Sequence, residues 1–169
     1  MTDPAAIAPS ATLVVASVGN GHNRGMDVAA SMTCDSTIDR VAQVVSDLSG
    51  YPHWLDIVSA AEPVDNGPEP AWLVTLRGQL GPLRRSKRIR MVAVPQDAPH
   101  RFRFVRAELD GRAHSPWTMQ AKLDGVDGQV QLTIELHYGG SLWIPLLDRV
   151  LADEIVRAKP RLAVLLAAQ

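Results

Sequence analysis

The C-terminal segment, from Ser141 to Gln169, reads SLWIPLLDRVLADEIVRAKPRLAVLLAAQ. Its apolar residues recur at steps of three and four, the spacing that places side chains on one face of an α-helix. These apolar residues are Leu147, Leu151, Ile155, Ala158, Leu162 and Leu165. The pattern predicts one long amphipathic helix, from about Pro145 to Ala167, whose apolar face requires a partner surface.

The partner surface is predicted in residues 57–138, where apolar and polar residues alternate and turn residues recur. This pattern is typical of antiparallel strands joined by short loops. The predicted strands are 57–64, 71–79, 83–94, 101–109, 112–123 and 129–138. Because one face of such a sheet is apolar, we expect the C-terminal helix to cover that face.

Residues 26–58 supply the elements that precede these strands. The alternation from Met26 to Cys34 predicts the first strand, and the hydroxyls of Ser36 and Thr37 are typical of helix N-caps. The helix that follows is expected to end near Gly50, because glycine commonly terminates helices. The segment 51–58, with a proline near its start, predicts a second short helix.

The expected architecture is therefore of the α+β class. A curved antiparallel sheet of about seven strands wraps around the long C-terminal helix, and two short helices follow the first strand. We expect residues 26–169 to form a single domain, because a chain of 169 residues has room for one sizeable core. Residues 1–25 are rich in alanine, proline, serine and glycine and predict a flexible extension. Within this extension, Ala11 to Val18 has the composition of an additional strand.

Composition and charge indicate the cellular compartment in which the protein is expected. The net charge of −1 and the apolar content of 46% are typical of a soluble globular protein. Cys34 is the only cysteine, which excludes an internal disulfide and favours a reducing compartment. No apolar run approaches the roughly 20 residues of a membrane-spanning helix. The N-terminal stretch MTDPAAIAPS lacks the basic residues of a secretory signal. We therefore expect a cytoplasmic protein.

No metal site, cofactor site or catalytic residue is predicted from motifs. The histidines, which are His22, His53, His100, His114 and His137, show no HxH or HExxH spacing. The chain has no P-loop, no G-x-G-x-x-G and no G-x-S-x-G. We therefore expect no bound cofactor.

Two stretches of the chain resemble a known superfamily. Residues Ser46 to Val58, SDLSGYPHWLDIV, look like its signature of a helix end, an aromatic–proline pair and a tryptophan. The segment GGSLWIPLLDRVLADEIVRAKPRL is similar to the final helix of a bacterial, particularly actinobacterial, subset. The order of the predicted elements supports the same resemblance. Over roughly residues 26–168 the chain resembles the SRPBCC or START-like superfamily, of polyketide cyclase/dehydrase and lipid-transport type. The resemblance implies a helix-grip fold, with a cavity for an apolar small molecule between sheet and helix.

The resemblance further implies that large apolar residues contact the ligand. The expected contact residues are Trp72, Met91, Phe102, Trp117, Met119, Leu132, Ile134, Leu147, Leu151 and Ile155. Aromatic and methionine side chains form adaptable apolar walls, although the periodicity alone fits a solid core equally well. Trp54 is expected instead to anchor the short helices. The polar residues expected nearest the wall are Arg103, Glu108, His114 and Tyr138, and each fits exposure or structural pairing better than catalysis.

A basic stretch from Arg84 to Arg112 contains nine of the 17 basic residues. A solvated sheet face explains it better than nucleic-acid binding, because the nearby aromatic residues alternate onto the opposite face. We therefore expect no stable nucleic-acid binding. Arg85 and Lys87 are predicted near the rim of the sheet, where they favour an anionic amphipathic ligand.

The favoured function is binding of a small hydrophobic or amphipathic molecule between sheet and helix. One alternative is a cyclase or dehydratase that acts on a polyketide-like substrate through polar groups of the cavity. Another is a protein-interaction module that acts with the product of a neighbouring gene. The sequence does not indicate an oligomeric state.

Overall fold

The computed structural model describes residues 13–14, 26–80, 83–140 and 144–168. Within these ranges, only the backbone is described at residues 13–14, 26, 78–80, 83–85, 144–152 and 155. Eight strands in this part of the chain form one curved antiparallel sheet. They are β1 (Leu13–Val14), β2 (Met26–Cys34), β3 (Val58–Val64), β4 (Ala71–Leu80), β5 (Leu83–Val94), β6 (Arg101–Arg106), β7 (Trp117–Val126) and β8 (Gln129–Tyr138). The described helices are α1 (Ile38–Val45), a 3₁₀ helix (Leu48–His53) and α2 (Ile144–Ala167).

The strand order β1-β2-β8-β7-β6-β5-β4-β3 places the first long strand beside the last one. From β3 to β8 each strand pairs with the next one in the chain. The chain therefore crosses from β2 to the opposite edge of the sheet through α1 and the 3₁₀ helix. The predicted α+β architecture, with seven long strands and a long C-terminal helix, is confirmed.

Local sequence explains the two short helices. The hydroxyl of Thr37 accepts a hydrogen bond from the backbone N–H of Arg40, which caps α1. The carboxylate of Asp47 accepts one from the N–H of Ser49 at 2.8 Å and caps the 3₁₀ helix in the same way. The buried hydroxyl of Tyr51 donates to the carbonyl of Val45 at 3.0 Å, so the 3₁₀ helix is tied to the end of α1.

One face of the sheet forms the core, because strand side chains alternate between faces. The register of β7 and β8 pairs apolar side chains on this face, with Met119 opposite Leu136 and Leu123 opposite Leu132. On the other face, Lys122 of β7 forms an ion pair with a glutamate of β8 at 2.6 Å. The predicted division into an apolar and a polar face is therefore present in these strands.

The strand boundaries differ from the prediction around residues 107–116. β6 ends at Arg106 rather than Leu109, and β7 begins at Trp117 rather than Arg112. The carboxylate of Asp110 accepts a hydrogen bond from the backbone N–H of Arg112 at 3.1 Å. A local turn therefore replaces strand pairing in this segment, as aspartate side chains often allow.

The hairpin between β7 and β8 is tighter than predicted. β7 continues to Val126, beyond the predicted end at Leu123. Asp127 and Gly128 alone form the turn, with φ angles of 50° and 80°. Two successive residues with positive φ match the twist of a two-residue hairpin, which is why an Asp-Gly pair is suited to this position.

Two residues of the predicted N-terminal extension belong to the sheet. Leu13 pairs with Ala30, and Val14 pairs with Ala29, at the edge formed by β2. This edge strand lies within the stretch that has the composition of an additional strand. The remainder of residues 1–25 lies outside the described residues. No described helix combines the length and the apolar composition that crossing a bilayer requires.

Candidate functional site

A cavity of about 110 Å³ lies between the apolar face of the sheet and α2. Its sheet side comes mainly from β2, β7 and β8, with Leu76 of β4 also in the lining. Its helix side includes Ala158 and Leu162, and the segment between the 3₁₀ helix and β3 contributes Leu55 and Ile57. The wall is almost entirely carbon, so it favours removal of apolar surface from water over hydrogen bonding.

Four of the predicted contact residues line this cavity. Trp117 and Met119 come from β7, and Leu132 and Ile134 come from β8. Alternation places all four on the apolar face of adjacent strands, as the sequence pattern predicted. The side chains of the other predicted residues on α2, Leu147, Leu151 and Ile155, lie outside the described residues.

Three other predicted contact residues are not part of the described lining of the cavity. Trp72 and Met91 are buried opposite each other on β4 and β5. Phe102 lies beside Ala121 in the register and borders a separate shallow groove near Ser46. Alternation predicted the face of the sheet on which these residues lie. It did not indicate which part of that face the short helices fill.

The roles expected for Trp54 and Trp72 agree with the structure only in part. The indole N–H of Trp72 donates to the carboxylate of Asp47 and to the hydroxyl of Ser49, both at 3.1 Å. Trp72 therefore anchors the 3₁₀ helix to β4. Trp54 packs against the 3₁₀ helix, with its ring 4.7 Å from that of Tyr51, and it also lines the cavity. Its buried indole N–H has no hydrogen-bond partner among the described residues.

A buried carboxylate also belongs to the cavity wall. Glu154 of α2 is only 3% exposed. Its Oε1 accepts a hydrogen bond from the backbone N–H of Ile57 at 3.3 Å, and its Oε2 accepts one from Arg157 at 3.0 Å. Nearby, Arg161 pairs with Asp56 at 2.6 Å. These contacts tie α2 to the segment that precedes β3 and compensate the charge of Glu154.

The second ionisable residue of the described wall is Lys159, which is half-buried on α2. Burial lowers the pKa of its ammonium group. Sequence reasoning missed both Lys159 and Glu154. A signal was present for Glu154, because it precedes Ala158 by four residues and Leu162 by eight and so shares their helical face.

Lys87 lies at the margin of the apolar face rather than in the cavity wall. It is opposite Leu76 in the register of β4 and β5. Burial, followed by the nearby charge of Arg106, lowers the pKa of the Lys87 ammonium, and Glu108 acts in the opposite direction. Arg106 itself is paired with Glu108 at 2.6 Å. The side chain of Arg85 lies outside the described residues.

None of the four polar residues expected nearest the wall is part of its described lining. Arg103 is exposed, Glu108 is paired with Arg106, and His114 bonds to Asp110 at 2.9 Å. Tyr138 is buried with its ring 5.1 Å from that of a cavity residue, Trp117. Their positions match the expectation of exposure or structural pairing.

Acceptor groups lie beside several cations of the basic stretch. Arg88 pairs with Glu62, and Arg101 pairs with Asp124 at 2.7 Å. Arg90 is 8% exposed because Asn66 and the carbonyl of residue 107 accept its guanidinium hydrogen bonds. These arginines therefore hold neighbouring segments of the protein together.

Three comparisons place this fold among known proteins. The family model for polyketide cyclase/dehydrase and lipid transport matches residues 26–163. No curated protein sequence matches the chain. The STAR-related lipid transfer protein of Xanthomonas axonopodis superposes with a TM-score of 0.66 at 14% identity, covering 93% of this chain and 98% of that one.

Further solved structures share the arrangement. A START superfamily protein of Mycobacterium smegmatis has a TM-score of 0.64 at 12% identity, covering 83% of this chain and 97% of that one. The di-domain ARO/CYC StfQ of the steffimycin biosynthetic pathway has a TM-score of 0.62 at 11% identity, covering 85% of this chain and 51% of that one. At these identities the superpositions show a common helix-grip fold. With the family match over most of its length, the chain belongs to the polyketide cyclase/dehydrase and lipid transport family.

Proposed function

We propose that this protein binds a small apolar or amphipathic molecule in the cavity between the sheet and α2. The observation that carries the proposal is the carbon wall of the cavity, to which Trp117, Met119, Leu132 and Ile134 contribute. Burial of apolar surface stabilises a complex by roughly 25 cal/mol per Å², so such a wall selects apolar ligand bodies. The proposed complex needs no cofactor.

The family assignment supports this proposal. The family's description includes lipid transport, and the Xanthomonas protein is described as a lipid transfer protein. A cavity of about 110 Å³ is smaller than the roughly 300–1,000 Å³ of sites for drug-sized ligands. A larger ligand therefore requires the wall to move.

Native mass spectrometry tests the proposal directly. The purified protein is mixed with fatty acids, fatty alcohols and polyketide-like aromatic compounds, and the mass of the intact complex is recorded. We expect one molecule bound per chain and a higher melting temperature, since a ligand that binds only the folded state stabilises it. A melting temperature that no compound changes, together with the absence of any complex, would refute the proposal.

Catalysis is a second candidate, favoured by the presence of Glu154 and Lys159 in the same wall. General acid–base chemistry needs an ionisable group beside the substrate. This candidate predicts that the protein removes water from a hydroxylated polyketide-like substrate, and that Glu154→Gln abolishes the reaction. Mass spectrometry of the products measures the loss of water. Binding without turnover would eliminate this candidate and leave the binding proposal intact.

A further inference from the structure

The two charged residues of the described cavity wall, Glu154 and Lys159, differ in whether a neighbouring group compensates their charge. Glu154 accepts hydrogen bonds on both carboxylate oxygens, from Ile57 and from Arg157. Lys159 forms no ion pair with any residue that the structure describes. Among the described lining residues, the charge left without a partner is therefore positive.

Lys159 belongs to the described lining, so its side chain lies within reach of a ligand in the cavity. The residue lines the cavity beside Ala158 and is half-buried, so its aliphatic stem adjoins the carbon wall. Part of the side chain is removed from water, and this burial lowers the pKa of its ammonium group. A partly desolvated cation without a counterion is unfavourable, and an anion brought by a ligand would compensate it.

We propose that the ligand is an amphipathic anion with a carboxylate-type group, and that this group pairs with Lys159 while the apolar body occupies the cavity. The inference rests on the proposed binding function and names the ligand class for the same cavity. A single ammonium group matches a head with one negative charge, such as a carboxylate, better than a phosphate monoester with about two. The apolar body is selected by the carbon wall, and the charged head is selected by Lys159.

The proposal assigns the anion to Lys159 rather than to Lys87, where the sequence predicted it. Lys87 lies near Arg106, but Glu108 already supplies a negative charge there. Lys159 has no such neighbour in the described part of the chain. The two lysines therefore provide a matched pair of variants, one on α2 and one on β5.

The experiment compares decanoate with 1-decanol, which have the same chain length and differ in charge. Calorimetric titration measures the Kd of both for the wild-type protein, Lys159→Gln, Lys159→Arg and Lys87→Gln. We expect Lys159→Gln to weaken decanoate binding about tenfold and to change 1-decanol binding less than about threefold, as for a partly desolvated ion pair. Lys159→Arg and Lys87→Gln should keep the preference for decanoate. Melting temperatures confirm that each variant is folded.

The outcomes separate this inference from the binding function. Equal affinities of the wild-type protein for both compounds, or loss of the preference in Lys87→Gln alone, would overturn the assignment to Lys159. Equal weakening of both compounds by Lys159→Gln would also overturn it, because the lysine would then act on the apolar body. If the wild-type protein binds neither compound, the proposed function itself fails for this ligand class.

Discussion

The apolar interior between the sheet and the helices contains two regions that differ in packing, although their residue types are similar. We define the packed region as the buried side chains of Cys34, Val41, Val45, Leu48, Trp72 and Phe104, none of which lines the cavity. The cavity region contains Trp54, Trp117, Met119 and Leu132. Both regions combine tryptophan with aliphatic residues, and both include side chains of the sheet.

The difference lies in what covers each region. In the packed region, α1 contributes Val41 and Val45, and the indole of Trp72 bonds to the residues that begin the 3₁₀ helix. In the cavity region, the described side chains of α2 are Glu154, Ala158, Lys159 and Leu162. A small side chain and charged groups fill less apolar space than large aliphatic ones. The two regions therefore differ in the described side chains of the helices that cover them.

Truncation in the packed region should have the largest effect on stability. Phe104 is 1% exposed, and its ring meets that of Trp72 edge to face at 5.6 Å. Phe104→Ala should lower the free energy of unfolding by about 3–5 kcal/mol, because it creates a new void. Met119→Ala, in the cavity wall, should lower the free energy of unfolding by about 2 kcal/mol, which is at the lower end of the range for methionine-to-alanine substitutions in protein cores. Urea unfolding measures both, and a larger loss for Met119→Ala would contradict the division into two regions.

The reactivity of Cys34 tests whether water reaches the packed region. Burial, with a smaller contribution from Asp35, raises the pKa of its thiol to about 11 from the ordinary 9.0. At pH 8 the reactive thiolate is therefore about 100-fold scarcer than for an ordinary thiol. We expect an aromatic disulfide reagent to modify the native protein at least about 100-fold more slowly than the urea-unfolded chain.

A matched variant extends this test to the cavity. Ala30 lies on the same face of β2 and lines the cavity. In a Cys34→Ser background, Ala30→Cys should react faster than Cys34 does in the wild-type protein, because reagent reaches open space more readily than close-packed space. Equal modification rates at residues 30 and 34 would contradict the distinction between an open cavity region and a close-packed region.

The two buried tryptophans should respond differently to loss of the indole N–H. Trp72→Phe leaves the acceptors on Asp47 and Ser49 without their donor, whereas Trp54→Phe removes an N–H that has no described partner. Both variants lose ring volume, so the difference between them reports the hydrogen bonds. We expect Trp72→Phe to cost about 1–2 kcal/mol more free energy of unfolding. Equal losses would show that Trp72 does not anchor the 3₁₀ helix.

The polar face of the sheet should show the smallest effect. Lys122 pairs with Glu135 at 2.6 Å, with both side chains partly exposed. Exposed ion pairs typically contribute less than about 1 kcal/mol, so Lys122→Ala should change the unfolding free energy by no more than that. Ligand affinity should stay at the wild-type value. A loss above about 2 kcal/mol would show that this face contributes more than solvent-exposed pairs normally do.

Periodicity predicted the elements and their faces well. The α2 prediction from Pro145 to Ala167 differs by one residue from the observed Ile144–Ala167, and β8 has the predicted bounds 129–138. Long periodic segments repeat the same burial signal at many positions, so single deviations do not obscure it. The segment 107–116 was predicted less well, because the turn around Asp110 depends on a few local hydrogen bonds.

The location of the cavity was predicted only in part. The pattern placed Trp117 and Trp72 on the same face, but only Trp117 lines the open space. Which of them is covered depends on contacts between residues far apart in the chain, such as Asp47 with Trp72. Glu154 was missed because the search for the buried face used apolar residues alone, whereas the N–H of Ile57 allows this carboxylate to be buried.

The central claim is that ligands bind in the space between the sheet and α2. The most direct measurement compares two identical substitutions on α2, Ala158→Leu in the cavity wall and Ala163→Leu on the exposed side. With 1-decanol as the probe, Ala158→Leu should raise the Kd about tenfold by filling the cavity, while Ala163→Leu should leave it within about twofold. Both proteins must show cooperative thermal unfolding for the comparison to hold. Wild-type affinity in Ala158→Leu, or an equal loss in both variants, would contradict binding in this cavity.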